Sequence, residues 1–438
     1  MRILHLTAGA GGMYCGSCLR DNALATELTA RGHDVSLLPV YTPTRTDEAN
    51  VSDGHVFMGG ISVYLQQHVP FLRKTPDVLD FLWDIPAVIK AATGRGVTVD
   101  PKDLGELTVS TLKGEAGFQS KEIRKLVRYL EGQAPFDLVV IPTSLLIGLA
   151  APLKRALRRP VVCMLQGEDL FIEGLSEPWR SEARSLVRTH EAAVDVFVAT
   201  SDYYADFMAG YLGLPRARIV TVPLGISLAG HDPSRPPRPG PFTIGFFARV
   251  APEKGLHLLV DAYVLLRREM GLEGARLEVA GYLAPEHRGY LAEAETKMKA
   301  AGLGAEFRYH GTLDRPAKIA FLRSLDVLSV PSPYAEPKGL YLLETMANGV
   351  PWVQPRHGAF PEMLEKTGGG LLFEPHDARS LAEQLLLLAR DPDRLADLGR
   401  CGAQGVARHY TQARMAERTL EVFASITHPR TESASAPA

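Results

Sequence analysis

Cysteine is scarce in this chain. Four residues in 438, Cys15, Cys18, Cys163 and Cys401, are too few and too scattered for a disulfide framework, so a reducing compartment fits. Charge of one sign is lacking as well. The 48 Lys and Arg are balanced by 50 Asp and Glu, and a formal charge of -2 gives no long-range pull toward nucleic acid or anionic lipid. Any anion bound here has to be gripped locally. No stretch approaches the roughly 18 uninterrupted apolar residues of a membrane helix, and the run at residues 1–6 is too short for a signal peptide. The expectation is a cytoplasmic protein with no transmembrane segment and no nucleic-acid partner.

What is present is a composition of 46% hydrophobic and 22% charged residues, that of a soluble globular protein. The length suits two domains of about 200 residues each. Apolar runs at residues 3–7, 34–40, 137–141, 160–165, 194–200 and 218–223 read as buried strands separated by helical segments, which implies a parallel sheet covered on both faces. At "DPSRPPRPGP" five prolines in ten residues mark a linker, taken as 231–241. Beyond it the rhythm restarts. Strands are expected at 242–247, 276–280, 306–309 and 327–330, and Pro252 opens a helix.

The expected organisation is therefore α/β. Residues 1–230 form a first domain with an insertion at about 42–136, and residues 242–410 form a second. A helix at 411–427 packs back on the first domain, and 428–438 is a disordered tail. Two doubly wound domains would face each other across a cleft. The insertion is the least legible part, since "ATGRGVTVDPKDLGELTVS" has no sustained period; it shapes a substrate site or merely packs.

Two stretches carry chemistry. In "AEPKGLYLLE", Glu336 and Glu344 stand eight positions apart, in a loop and a helix that follow the strand at 327–330. Such strand ends are where parallel sheets bind ligands. Gly339 at the helix start allows close approach of a phosphate to the first N–H groups, with Lys338 as a helper. Glu344, one turn in, suits a ribose diol and Glu336 suits sugar hydroxyls. The alternative makes both of them solvated surface residues. In "FFARVAPEKGLHLL", Arg249 and Lys254 span a strand-to-helix turn and can close on one diphosphate, Arg by its planar fork and Lys as a point charge.

Other patterns are weaker. "AGAGGMYCGSCLRDN" fails as a dinucleotide fingerprint because Tyr14 takes the third glycine's place. Cys15 and Cys18 form a C-x-x-C pair, read as a redox couple, half a zinc site or, preferably, small residues lining a ligand loop. Asp391-Pro392-Asp393 reads as a helix cap rather than a metal-binding pair. His33 and His357 lie in turns and read as structural.

Taken together, "ARVAPEKG" and "PSPYAEPKGLYLLETMANGVP" resemble the two signature segments of retaining glycosyltransferases of the GT4 type, also described as glycosyl transferases group 1, which have the GT-B fold. The Glu-x7-Glu spacing is that family's hallmark, and "RGHDV", "VPLGI" and "GAFPEML" are fainter echoes. The resemblance implies a metal-independent enzyme with no cofactor, which moves a sugar from a nucleoside-diphosphate sugar to an acceptor hydroxyl on a glycan, a lipid-linked group or a small molecule. Arg249 and Lys254 would hold the diphosphate and stabilise it as a leaving group. Glu336 would sit by the transferred sugar, backed by Gly339 and Leu340, while Glu344 would take the ribose. Gly11 and Gly12 would close over the phosphates. Two positions depart from the family. Gln166 stands where many relatives carry a His beside the reacting sugar, and Lys338 stands where an aromatic residue is commoner. Asp169 orients the acceptor or caps the next helix. The alternative to an enzyme is a catalytically silent sugar-nucleotide-binding or scaffold protein on the same fold.

Overall fold

The computed structural model describes residues 1–9, 16–59, 63, 66–67, 101–234 and 240–427. Gly11, Gly12, Cys15, much of the insertion, part of the linker and the tail lie outside the described residues. The chain divides into two compact units, one made of Met1–Thr200, Tyr204–Val222 and Met415–Ala438, the other of Ser201–Tyr203 and Pro223–Arg414.

The first unit is built on strands β1 (Arg2–Ala8), β2 (Asp34–Val40), β3 (Leu138–Ile141), β4 (Val161–Leu165), β5 (Val196–Ala199) and β6 (Ile219–Thr221). They form one parallel sheet in the order β2-β1-β3-β4-β5-β6. Every residue of β3, β4 and β5 is buried. That burial is why these segments are apolar throughout rather than alternating. Ala23, Leu24 and Leu28 of the helix Gly16–Ala30 pack into this core, and so do Met415, Ala416, Val422 and Phe423 of the last helix, Gln412–Thr427.

The second unit repeats the plan with β7 (Phe242–Phe247), β8 (Ala275–Ala280), β9 (Phe307–Tyr309), β10 (Val327–Leu328), β11 (Trp352–Pro355) and β12 (Gly370–Phe373), in the parallel order β12-β11-β10-β7-β8-β9. The strand sequence runs outward in both directions from the β7/β10 pair, as it does from β1/β3 in the first unit. These are the switch points, and a doubly wound sheet opens a ligand crevice beyond the carboxyl ends of the strands there.

Three expectations need correction. The aperiodic stretch contains a helix, Pro101–Leu112, and its period is broken by Gly105, where a Cβ would lie 2.4 Å from Trp179 Cδ1. A small residue is required at that crossing. The strand at 327–330 is laddered only over Val327–Leu328. Pro252 opens a short 3-10 turn, Pro252–Lys254, and the α-helix proper is Leu256–Arg268 after Gly255 in left-handed geometry, φ 76°. No helix among the described residues is long and apolar enough to cross a membrane.

Candidate active site

Three loops converge at the β7/β10 switch point, and glycine is what lets them meet. A Cβ on Gly255 would stand 2.0 Å from the carbonyl oxygen of Pro331, so only glycine allows the turn after β7 to lie against the loop after β10. Ser332 Oγ reinforces the contact by donating to the Glu253 carbonyl at 2.8 Å. From the other side, a Cβ on Gly358 would come within 2.5 Å of the Glu336 carbonyl oxygen, which accepts from Ala359 N at 2.9 Å. The Glu336 backbone is thus fixed by the turn that follows β11.

Held in this way, the Glu336 carboxylate pairs with Lys254 Nζ. The pair is largely enclosed, with side-chain exposures of 14% for Lys254 and 7% for Glu336. The Lys254 ammonium also lies 6.0 Å from the ring centroid of Tyr341. Burial, with the Glu336 charge second, pushes the Tyr341 phenol well above its ordinary range. Its hydroxyl has no hydrogen-bond partner among the described residues. Arg249 differs in character, being 44% exposed at its side chain and paired with Glu253 at 2.9 Å. Both cations of the expected clamp therefore have carboxylate partners here.

Gly339 adopts left-handed geometry, φ 87°, and caps the helix Leu340–Ala347. The first N–H groups of a helix have no partner within it, so they and the helix dipole favour an anion. Lys338 is half-buried in the loop just before it, and Leu340 is the first residue of the helix. Glu344 is 7% exposed, which removes the surface-residue alternative for it as it does for Glu336 at 5%. Its Oε1 accepts from Lys318 Nζ at 2.5 Å.

In the first unit, β4 ends in Gln166-Gly167-Glu168 and the short helix Asp169–Glu173. Glu168 organises this loop. Its carboxylate accepts from Ser144 N at 3.0 Å, Ser144 Oγ at 2.6 Å, Gln166 N at 2.6 Å and the Tyr204 hydroxyl at 3.4 Å. Gln166 Nε2 donates to the Pro142 carbonyl at 2.8 Å, which fixes its amide and leaves Oε1 buried without a partner among the described residues. Asp169 accepts from Tyr204 at 2.7 Å and is the first helical residue. The cap position belongs to Glu168, whose side chain makes no capping bond, so the capping alternative for Asp169 is excluded.

Between β1 and the helix Gly16–Ala30 lies a buried ionic cluster that sequence reading missed. Arg20 Nη1 donates to Asp21 Oδ1 at 3.1 Å, Thr7 Oγ1 donates to Asp21 Oδ2 at 3.0 Å, and His5 Nε2 lies 3.5 Å from Oδ1. Cys18 is buried, with Sγ donating to the Ala8 carbonyl at 2.7 Å. Cys163 and Cys401 are free thiols. Asp391 accepts from Arg394 N at 3.0 Å as the cap of the helix Pro392–His409. His33 bonds the amino terminus through Nδ1 at 3.1 Å, and burial, with His376 second, pulls the His357 imidazole below its ordinary value.

Lys318, Glu168 and Tyr341 were also missed. The signal for Lys318 was its place three and four residues before Phe321 and Leu322, on the apolar face of a helix. The signal for Gly358 lay in the faint "GAFPEML" echo.

Residues 231–404 match the family of glycosyl transferases group 1, and residues 21–225 match the glycosyl transferase 4-like domain. A D-inositol 3-phosphate glycosyltransferase of Arthrobacter sp. (strain FB24) is 30% identical over 231 residues, 51% of this chain and 52% of that protein. A phosphatidyl-myo-inositol mannosyltransferase of Mycobacterium leprae is 28% identical over 264 residues, 58% of this chain and 62% of that protein. The chain thus spans between about half and two thirds of the length of these curated relatives. Among solved structures, Anabaena Alr3699/HepE in complex with UDP and glucose superposes with a TM-score of 0.70 over 97% of this chain and 100% of that one, at 16% identity. Sucrose-phosphate synthase from Thermosynechococcus elongatus gives 0.70 over 97% and 99%, also at 16% identity. At that identity the likeness establishes the fold, which is GT-B. With the two family matches covering residues 21–225 and 231–404, the chain belongs to the GT4-type, group 1 glycosyl transferases.

Proposed function

We propose that this protein is a retaining, metal-independent glycosyltransferase that moves a sugar from a nucleoside-diphosphate sugar to an acceptor hydroxyl. The observation that carries the reading is the Lys254–Glu336 pair, fixed by Gly255 and Gly358 at the carboxyl ends of β7 and β10. A cation paired to a carboxylate in that place can exchange partners. When a diphosphate arrives, Lys254 turns to the phosphate oxygens, and Glu336 is released to accept hydrogen bonds from the sugar hydroxyls. Arg249 leaves Glu253 in the same way. As the sugar–phosphate bond breaks, negative charge grows on the diphosphate, and fixed cations there lower the barrier. They do the work that a divalent ion does in other transferases, which is why no metal is included in the proposal.

Glu344 accepts the ribose hydroxyls, Gly339 and Leu340 present backbone N–H groups, Lys338 adds charge beside them, and Gly11 and Gly12 cover the phosphates. On the acceptor side the proposal uses Gln166 Oε1, a buried acceptor that a ligand hydroxyl can satisfy, and Asp169 to orient the incoming group. The HepE structures were solved with UDP and with UDP-glucose, so a UDP-sugar is the donor to try first. The free thiols Cys163 and Cys401 fit a reducing compartment, and the proposal places the protein in the cytoplasm.

Gln166 also favours a second reading, since an amide cannot shuttle a proton, and a silent sugar-nucleotide-binding protein needs no shuttle. Turnover separates the two. Incubation with UDP-, GDP- and ADP-sugars and a panel of hydroxyl acceptors, followed by NMR of the product anomer, should show nucleoside diphosphate release, a retained anomeric configuration and no loss of rate in EDTA. Tight donor binding without any release would favour the silent protein. An inverted product would remove the retaining mechanism.

A further inference from the structure

Tyr341 is the second residue of the helix Leu340–Ala347, which follows Gly339 in left-handed geometry. The residue as a whole is half-buried, but its hydroxyl oxygen is enclosed and has no hydrogen-bond partner among the described residues. A hydroxyl so placed weakens the fold. It has left water without gaining a bond, whereas phenylalanine would fill the same ring space and leave no polar atom unpaired. The group has therefore to be accounted for by something other than stability.

Its neighbours show what it can serve. The Lys254 ammonium lies 6.0 Å from the Tyr341 ring centroid, and the same ammonium is paired with Glu336. Burial, with the Glu336 charge second, keeps the phenol well above its ordinary range, so the hydroxyl holds its proton and can donate it in a hydrogen bond. An O–H beside an ammonium, on the first turn of a helix whose leading N–H groups have no partner within the helix, suits an anion better than a neutral group.

We infer that the Tyr341 hydroxyl binds the diphosphate of the nucleotide, at the phosphate that carries the sugar. This rests on the proposed role of Lys254 at that diphosphate. When a diphosphate parts Lys254 from Glu336, the hydroxyl donates to an oxygen of the outer phosphate and gains a charge-assisted bond. The outer phosphate is the one meant because the Glu336 charge reaches the phenol, and Glu336 is proposed to face the sugar. Tyr341 then explains its own cost. The free protein is less stable than phenylalanine would make it, and the bound protein uses the same atom.

The test uses the full chain and calorimetric dissociation constants for UDP, GDP and ADP, each against UMP, GMP or AMP, in wild type, Tyr341→Phe and Lys254→Ala. For the base that wild type prefers, Tyr341→Phe should weaken the diphosphate about tenfold or more and leave the monophosphate within about twofold. Its melting temperature without ligand should be level with wild type or a few degrees higher, because the change removes a buried hydroxyl that has no partner. A tyrosine that serves only the fold would do the reverse, lowering the melting temperature and leaving both dissociation constants alone.

Equal diphosphate affinity in wild type and Tyr341→Phe, with a loss in Lys254→Ala, overturns the inference and leaves the diphosphate site standing. If wild type binds none of the three diphosphates, or Lys254→Ala binds them as wild type does, the reading of Lys254 has failed and the inference falls with it. An equal loss for diphosphate and monophosphate would move the hydroxyl to the nucleoside end and also overturn the assignment. So would a loss seen with UDP-, GDP- or ADP-glucose and not with the matching diphosphate, which would give the hydroxyl to the sugar.

Discussion

Asp21 in the first unit and Glu336 in the second are both buried carboxylates with a cationic partner, yet their surroundings differ. Asp21 is enclosed by Arg20, Thr7 and His5, with Arg20 and Asp21 each about 1% exposed at the side chain. Glu336 has Lys254, at 14% exposure, on a loop at the end of a sheet. The closed pair has nothing to exchange with, and its worth is to the fold. The open pair can trade its partner for a phosphate, and its worth is to binding. Burial of a charge does not by itself mark a site. A buried charge at the mouth of a switch point, on loops that glycine has brought together, does.

The largest effect that would break this comparison lies in the closed cluster. Asp21→Asn leaves Arg20 buried without its counter-ion and should cost about 3–5 kcal/mol of stability in urea unfolding. A cost under about 1 kcal/mol would mean the cluster is not closed. The loss should also depend on pH. Burial alone would raise the Asp21 carboxyl, but His5, then Arg20 and Thr7, hold it below its ordinary value. A depressed carboxyl contributes stability that is full above its unfolded pKa of about 4 and is lost as pH falls toward the folded one. The gap between wild type and Asp21→Asn should therefore narrow in melts as pH falls below about 4.

Next comes the open pair. Lys254→Ala should lower kcat/KM by about 2–4 kcal/mol of transition-state stabilisation, with a stability loss less than half that of Asp21→Asn. The reverse order, stability falling and turnover holding, would make Lys254 a second Arg20. A smaller effect is expected for Gly255→Ala, which forces a Cβ against the Pro331 carbonyl and a side chain into left-handed geometry. It should cost about 1–3 kcal/mol of stability and raise the donor KM, since both loops move. Smallest in stability is Arg249→Ala, within about 0.5 kcal/mol because the pair is 44% exposed on the Arg side. Its turnover should fall nonetheless. Unchanged kcat/KM would remove Arg249 from the clamp.

How much of this was legible in the sequence follows from the range of each interaction. Parallel strands buried on both faces write themselves as apolar runs, so β1, β3, β4 and β7 could be read directly. The Glu336–Glu344 spacing and the Arg249–Lys254 turn were local patterns, visible without a fold. What was not legible depends on contacts between distant segments. Pro252 looked like a helix start because the need for Gly255 to bend comes from Pro331. The helix Pro101–Leu112 hid behind Gly105, whose reason is Trp179. Lys318 finds Glu344 across 26 positions, and nothing local to either residue announces the other. Nothing in the sequence singles out Glu168, because only Ser144 and Tyr204 together make it the centre of its loop.

The central claim is that Lys254 and Glu336 mark a nucleoside-diphosphate site. The most direct measurement is a thermal-shift titration of wild type and Lys254→Ala with UDP, GDP and ADP, with NAD as control. A ligand at a hundred times its dissociation constant adds about 2.7 kcal/mol to the stability of what it binds. The account predicts that one of the three nucleotides raises the melting temperature of wild type, and that the shift is lost or much reduced in Lys254→Ala at the same concentration. Equal shifts in both proteins, or a response to NAD alone, would contradict it.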